Sequence, residues 1–173
     1  MDLIDYGLIK VDLNPLIQRV RGLPSDVWEY RSDKESYETT AIREGTAGFK
    51  MVQEELSKVL VALDKHFKPG FTNRVVLSCI PAGKSILGHT DDFGEKLRQT
   101  SIHCHIPLIT HSSIKMGFGK ENSREYHLKQ GHLYSMDETI WHYVNNPSTI
   151  DRVHLLLAYF PHDGNTHNLK LSS

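Results

Sequence analysis

Ser101-Ile102-His103-Cys104-His105-Ile106 reads as a β-strand with two unlike faces. The period of two puts Ser101, His103 and His105 on one side and Ile102, Cys104 and Ile106 on the other. The second side belongs to a core, whereas the first carries two imidazoles, which bind protons, metals and anions. The run Arg152-Val153-His154-Leu155-Leu156-Leu157-Ala158 splits in the same way, with Arg152, His154, Leu156 and Ala158 opposite Val153, Leu155 and Leu157. An arginine at the start of so apolar a strand needs an anion, because an unpaired buried charge is costly. Asp151 or Glu138 could supply it locally. A bound carboxylate is the other candidate, since the guanidinium fork grips two oxygens at once.

Working outward, strand-like runs fill the chain beyond residue 70: Arg74 to Ile80, Ser113 to Phe118, Glu125 to Leu128, His132 to Met136 and Trp141 to Val144, besides Ser101 to Ile109 and Arg152 to Phe160. Gly and Asn/Asp turn signals separate them. Before residue 70 the period is helical. Phe49, Val52, Leu56, Val59, Leu60, Leu63 and Phe67 recur at three- and four-residue intervals, predicting a helix over 47–67 that Lys68-Pro69-Gly70 ends. A shorter helix is expected from Pro15 to Arg21, with Asn14 as its N-cap. The segment from Gly22 to Gly45 shows no clear period. About seven antiparallel strands behind helices predict a mainly β fold, a double-stranded β-helix (jelly roll, cupin-like) with an N-terminal helical layer. The expected organisation is one domain over 1–173: the helical layer at 1–70, the β core at 71–162 and a polar tail at 163–173.

Composition narrows the functional classes. A chain of 173 residues that is 39% hydrophobic can bury one proper core. Its formal net charge of −1 without a basic block argues against nucleic acid as a partner. No stretch approaches the roughly 20 apolar residues of a membrane span, and the start lacks a signal-peptide pattern. A soluble, cytoplasmic protein is expected, acting on a small molecule or peptide. Cys79 and Cys104 lie in apolar strand-like runs and read as small buried residues rather than a disulfide.

His89-Thr90-Asp91 and the later His142 add a metal site to this frame. Two imidazoles and a carboxylate on one face of an ion leave the other face open, the arrangement expected for non-haem Fe(II). With 11 histidines and 21 acidic residues, a His-x-acid pattern is expected about once by chance. Its weight comes from its place, where a strand bracketed by Gly83 and Gly88 runs into a loop. His66, His111, His127 and His132 fall at a helix end, in turns or in edge strands and are expected to be solvated or locally satisfied. Trp141 and Tyr143 alternate away from His142 and are expected to pack. His154 shares the face of Arg152 and could contact a ligand or fill space.

Several of these pieces occur together in one order: Ser78-Cys-Ile-Pro-Ala-Gly-Lys-Ser-Ile-Leu-Gly-His89-Thr-Asp91, then His105-Ile-Pro-Leu, a turn containing Gly131, Trp141-His142-Tyr-Val-Asn, and Arg152-Val-His-Leu-Leu-Leu. In that order they resemble the aspartyl/asparaginyl β-hydroxylase family, which includes the related proline hydroxylases. The resemblance spans 74 to 162. It implies an Fe(II)- and 2-oxoglutarate-dependent dioxygenase that consumes O2 and hydroxylates an unactivated C–H bond, with an amino acid or an amino-acid residue of a peptide or protein as substrate. It implies His89, Asp91 and His142 as metal ligands, and Arg152 with Ser78 on the distal carboxylate of 2-oxoglutarate. It further implies His105 on the cosubstrate's metal-side carboxylate. The chain departs from the family at His103, where an arginine is usual, so either His103 or Arg98 takes that role. The rival readings are a non-catalytic cupin-like metal-binding or sensor module, for which a carboxylate clamp has no use, and a catalytically silent β-sandwich.

Overall fold

A computed structural model describes residues 3–30, 39–64, 70–91 and 101–161. The long apolar stripe forms helix α2, Ala47–Asp64, and buries Val52, Leu56, Val59 and Leu63. Thr46 caps it, its hydroxyl oxygen accepting the Phe49 N–H at 3.2 Å. The proposed end of this helix at Lys68-Pro69, along with Phe67 and His66, lies outside the described residues. Helix α1, Asn14–Arg21, differs from expectation at its start. Asn14 is already helical, and the side chain of Asp12 accepts the Asn14 N–H at 3.0 Å. The cap position falls to Leu13, which has no side-chain acceptor, and Asp12 makes an Asx turn ahead of it, since an Asx side chain readily bonds the backbone two residues on.

Among the described residues, eleven strands make two sheets. A seven-stranded sheet is ordered β1-β9-β6-β11-β4-β3-β2, and a four-stranded sheet β5-β10-β7-β8. The large sheet comprises β1 (Leu3–Leu8), β2 (Glu29–Tyr30), β3 (Thr40–Arg43), β4 (Gly70–Ile80), β6 (Ile102–Ile109), β9 (His132–Met136) and β11 (Arg152–Pro161). The small sheet comprises β5 (Ser85–His89), β7 (Lys115–Phe118), β8 (Arg124–Tyr126) and β10 (His142–Asn145). Every pairing is antiparallel, as a double-stranded β-helix requires. The N-terminal 70 residues supply strands as well as helices: β1 pairs with β9, and β3 with β4.

Alternation divides the large sheet into two working faces. Leu77, Cys104, Ile106, Val153, Leu155 and Leu157 pack with Leu16, Ile17, Val52, Leu56 and Leu63 under the helices. A second apolar cluster, including Ile80, Met116, Phe118, Tyr134 and Val144, joins the two sheets. The layers are therefore helices, large sheet, small sheet. The residues that alternate with the helix-facing set look into the space between the sheets. Both cysteines are free and buried, and burial pushes the Cys79 thiol up to about 11.

Candidate active site

His89 and His142 are cross-strand partners of β5 and β10, with ring centroids 4.4 Å apart. Each donates its Nδ1–H to the carbonyl two residues earlier, His89 to Leu87 at 2.7 Å and His142 to Ile140 at 2.8 Å. The paired carbonyls fix both tautomers and turn both Nε2 lone pairs toward one point. Asp91 sits there, its Oδ2 at 3.5 Å from His89 Nε2 and 3.6 Å from His142 Nε2. Donor atoms of all three lie within 4.8 Å of one another. Neighbouring donors around an ion bound at about 2.1 Å are roughly 3 Å apart, so a small closure suffices to surround a metal. Burial pushes the Asp91 carboxyl up, but contacts from His142 and His89 outweigh it and hold the group well below the carboxylate range. Burial lowers His142 while Asp91 raises it, and the net shift is upward.

Outward packing of the flanking aromatics ties β10 and its lead-in to the neighbouring strands β5 and β7. A Cβ on Gly88 would collide with the Trp141 indole, and one on Gly117 with the Tyr143 ring. Both aromatics thus cover glycines on the sheet's outer face, as alternation predicts, and leave His142 pointing inward.

The turn between β9 and β10 supports the site from below. Asp137 Oδ1 accepts the N–H and hydroxyl of Thr139 at 3.0 and 2.6 Å, and the Asp137 carbonyl accepts the Ile140 N–H at 3.1 Å. Held in this way, the turn offers the Ile140 carbonyl to His142 and the Glu138 carbonyl to the Asp91 N–H, the latter at 2.9 Å. The Glu138 carboxylate reaches His103 Nδ1 at 2.8 Å and His105 Nε2 at 3.6 Å. Its burial raises it, but the two imidazoles bring it down to about 2. Burial lowers His105, leaving a neutral ring with Nε2–H toward Glu138 and a buried Nδ1 without a partner. In the sequence, Glu138 stands out only as a possible local partner for Arg152. Its role beside the histidines has no spacing signal, because a turn brings it there.

Arg152 is buried at 3% exposure on the same cavity wall. Its Nη2 donates to His154 Nδ1 at 2.7 Å, which assigns His154 to holding the guanidinium. Burial and the Arg152 charge keep His154 well below the usual range and neutral. Neither local acid meets Arg152: Asp151 Oδ1 accepts the Ala82 N–H, and Glu138 faces the histidines. Among the described residues no carboxylate pairs with Arg152, and its Nε is buried without a hydrogen-bond acceptor. Burial lowers it to about 9, still cationic near neutrality. Ser78 lines the same cavity, its register partner on β11 being His154.

His89, Asp91, His142, Ser78, His103, His105 and Arg152 all line one cavity of about 430 Å³. Arg98 lies outside the described residues, so of the two candidates for the family's missing arginine only His103 is seen here. The other described histidines have partners: His111 bonds Ser113, His127 the Ile114 carbonyl, and His132 pairs with Asp5.

A family model described as aspartyl/asparaginyl β-hydroxylase matches residues 6–161. The chain belongs to the aspartyl/asparaginyl β-hydroxylase family. Members of this family are Fe(II)- and 2-oxoglutarate-dependent hydroxylases, and the chain is an enzyme of that class. The match takes in α1, α2 and β3, beyond the span that carries the resemblance in sequence. No curated protein sequence matches the chain. Solved structures share the fold of this β-hydroxylase family member at low identity. A prolyl-4-hydroxylase from Pseudomonas putida is 11% identical, with 93% of each chain covered and a TM-score of 0.58. A 2OG-Fe(II) oxygenase family oxidoreductase from Burkholderia pseudomallei is 12% identical over 91% of this chain and 82% of its own, with a TM-score of 0.59. HygX from Streptomyces hygroscopicus, solved with nickel, 2-oxoglutarate and hygromycin B, is 10% identical over 93% and 83%, with a TM-score of 0.57. Among the described residues, no helix of the β-hydroxylase family chain is long and apolar enough to cross a membrane.

Proposed function

We propose that this chain holds Fe(II) with His89, Asp91 and His142, binds 2-oxoglutarate through Arg152 and Ser78, and hydroxylates a C–H bond of an amino acid, free or within a peptide or protein. The observation that carries the reading is Arg152. A buried cation whose Nε lacks an acceptor, on the wall of a cavity that also holds a His-Asp-His cluster, fits a bound carboxylate. Fe(II), once bound, supplies the redox chemistry that couples oxidative decarboxylation of 2-oxoglutarate, giving succinate and carbon dioxide, to insertion of one oxygen atom of O2 into the substrate.

The chain's own residues bind, orient and exclude water. Asp91 supplies the negative charge that a divalent ion requires, and the carbonyls behind His89 and His142 keep their lone pairs aimed. Arg152 fixes the far end of the cosubstrate, with His154 holding the guanidinium in place. His103 and His105 serve the near carboxylate, with Glu138 setting their rings. Met116, Val144 and Leu156 line the same cavity with apolar surface, which strengthens the charge interactions inside it. Free, buried cysteines suit a reducing compartment, and we assign the protein to the cytoplasm.

Release of carbon dioxide from labelled 2-oxoglutarate, in air with Fe(II), tests the proposal. The wild type releases it, and His89→Ala and His142→Ala lose both release and metal binding. Metal bound by the wild type through these residues without any release, across amino-acid and peptide substrates, would leave a non-catalytic metal-binding module instead.

A further inference from the structure

Arg74 has φ 54°, in the left-handed region. It marks a break in the β4–β11 ladder: Leu156 faces Val76 and Ala158 faces Asn73, so Arg74 and Val75 together oppose Leu157 alone. This is a β-bulge with a left-handed first residue, the position that glycine ordinarily fills. An L side chain is strained there. Asn122, the other non-glycine with positive φ among the described residues, is of a type that tolerates this region and lies exposed in a bend. Arg74 has no such excuse, and it lines the active-site cavity.

A second arginine arrives by register. His105 on β6 pairs with Leu156 on β11, Leu156 with Val76 on β4, and Val76 with Arg43 on β3. Cross-strand partners share a face of the sheet, so Arg43 stands on the cavity face in the row of His105. Among the described residues, Arg43, the adjacent Glu44 and Arg74 are all exposed and all line the cavity, which places two of the described cations and one anion at its solvent end. Arg152, in contrast, is buried within it.

We propose that Arg74 and Arg43 bind the carboxylate of the substrate at this mouth and that Glu44 takes its ammonium group, which makes the substrate a free amino acid rather than a residue inside a polypeptide. An internal residue carries neither group on its backbone. The inference rests on the oxygenase reading above. Retaining arginine at a glycine position makes sense when the guanidinium is needed there, since two charge-assisted contacts on one carboxylate give affinity and orientation together.

The test supplies the Fe(II)-loaded protein with O2, 2-oxoglutarate and each common L-amino acid, as free acid and as carboxamide, and reads succinate above the substrate-free background. At least one free acid stimulates turnover and its carboxamide does not. For that acid, Arg74→Gly and Arg43→Ala each raise KM by about tenfold or more and leave kcat and the affinity for 2-oxoglutarate unchanged. Arg74→Gly also melts no lower than the wild type, because glycine relieves the bulge. Equal stimulation by carboxamides, no stimulation by any free acid, or an unchanged KM in Arg74→Gly overturns the inference. Anaerobic binding of 2-oxoglutarate to the metal-loaded wild type separates the two failures: retained, only the substrate assignment falls; absent, the oxygenase reading falls with it.

Discussion

Arg152 and Glu138 show how single residues are charged for a task. Deleting one member of a buried ion pair ordinarily costs about 3–5 kcal/mol, yet Arg152 has no carboxylate partner among the described residues to leave behind. Arg152→Met is therefore expected to melt within a few degrees of the wild type while losing most of its affinity for 2-oxoglutarate. Thermal melts alongside cosubstrate titration check both halves. Glu138 behaves oppositely. Held at about 2 in the folded protein against an ordinary 4.5, it supplies stability above pH 4.5 that is lost as pH falls toward 2. The standard conversion makes this about 3 kcal/mol. Glu138→Gln should be destabilised by about that amount at pH 7, with the gap from the wild type narrowing to about half or less by pH 3 in urea melts. An equal gap at both pH values would contradict the assignment. The candidate triad was legible at this scale because His89-x-Asp91 stands where a glycine-bracketed strand runs into a loop, with a later histidine on another strand. The service of Glu138 was not, since its value comes from where a turn delivers it.

At the scale of elements, periodicity explains what could be read. The α2 stripe and the β6 and β11 alternations are each set by one buried face, so their patterns survive in the sequence. The strands β1, β2 and β3 lie at or near the edges of the large sheet, where short length and partial exposure leave the pattern weak. Two predictions belong here. Gly117→Val on β7 places a side chain in the Tyr143 ring, and overpacking of this kind costs about 1–3 kcal/mol; a lowered melting temperature with weaker metal binding is expected. Asp137→Ala removes the acceptor that closes the β9–β10 turn. It should cost about 1 kcal/mol and weaken metal affinity about tenfold, because the same turn holds His142 and Asp91. Calorimetric titration of the metal into this variant checks it, and unchanged affinity would show that the turn is not what aims the ligands.

For the whole molecule, the order of layers determines where chemistry can occur. Helices cover one face of the large sheet and the small sheet faces the other, so the polar residues of β6 and β11 meet the histidines of β5 and β10 in one cavity between the sheets. The fold class was legible from strand count and spacing, and the clustering of His89, Asp91 and His142, which stand as candidate ligands, from motif order. The bulge at Arg74 and the row that brings Arg43 to the cavity were not, because register across four strands cannot be read from one. The most direct test is anaerobic titration of 2-oxoglutarate into the Fe(II)-loaded protein, followed by the weak visible charge-transfer band of the chelate. The wild type is expected to develop the band, and Arg152→Ala to need at least about tenfold more 2-oxoglutarate to reach it. A wild type that binds Fe(II) but develops no band, or a variant that titrates identically, would contradict the pairing of a His-Asp-His iron site with Arg152 as its carboxylate clamp.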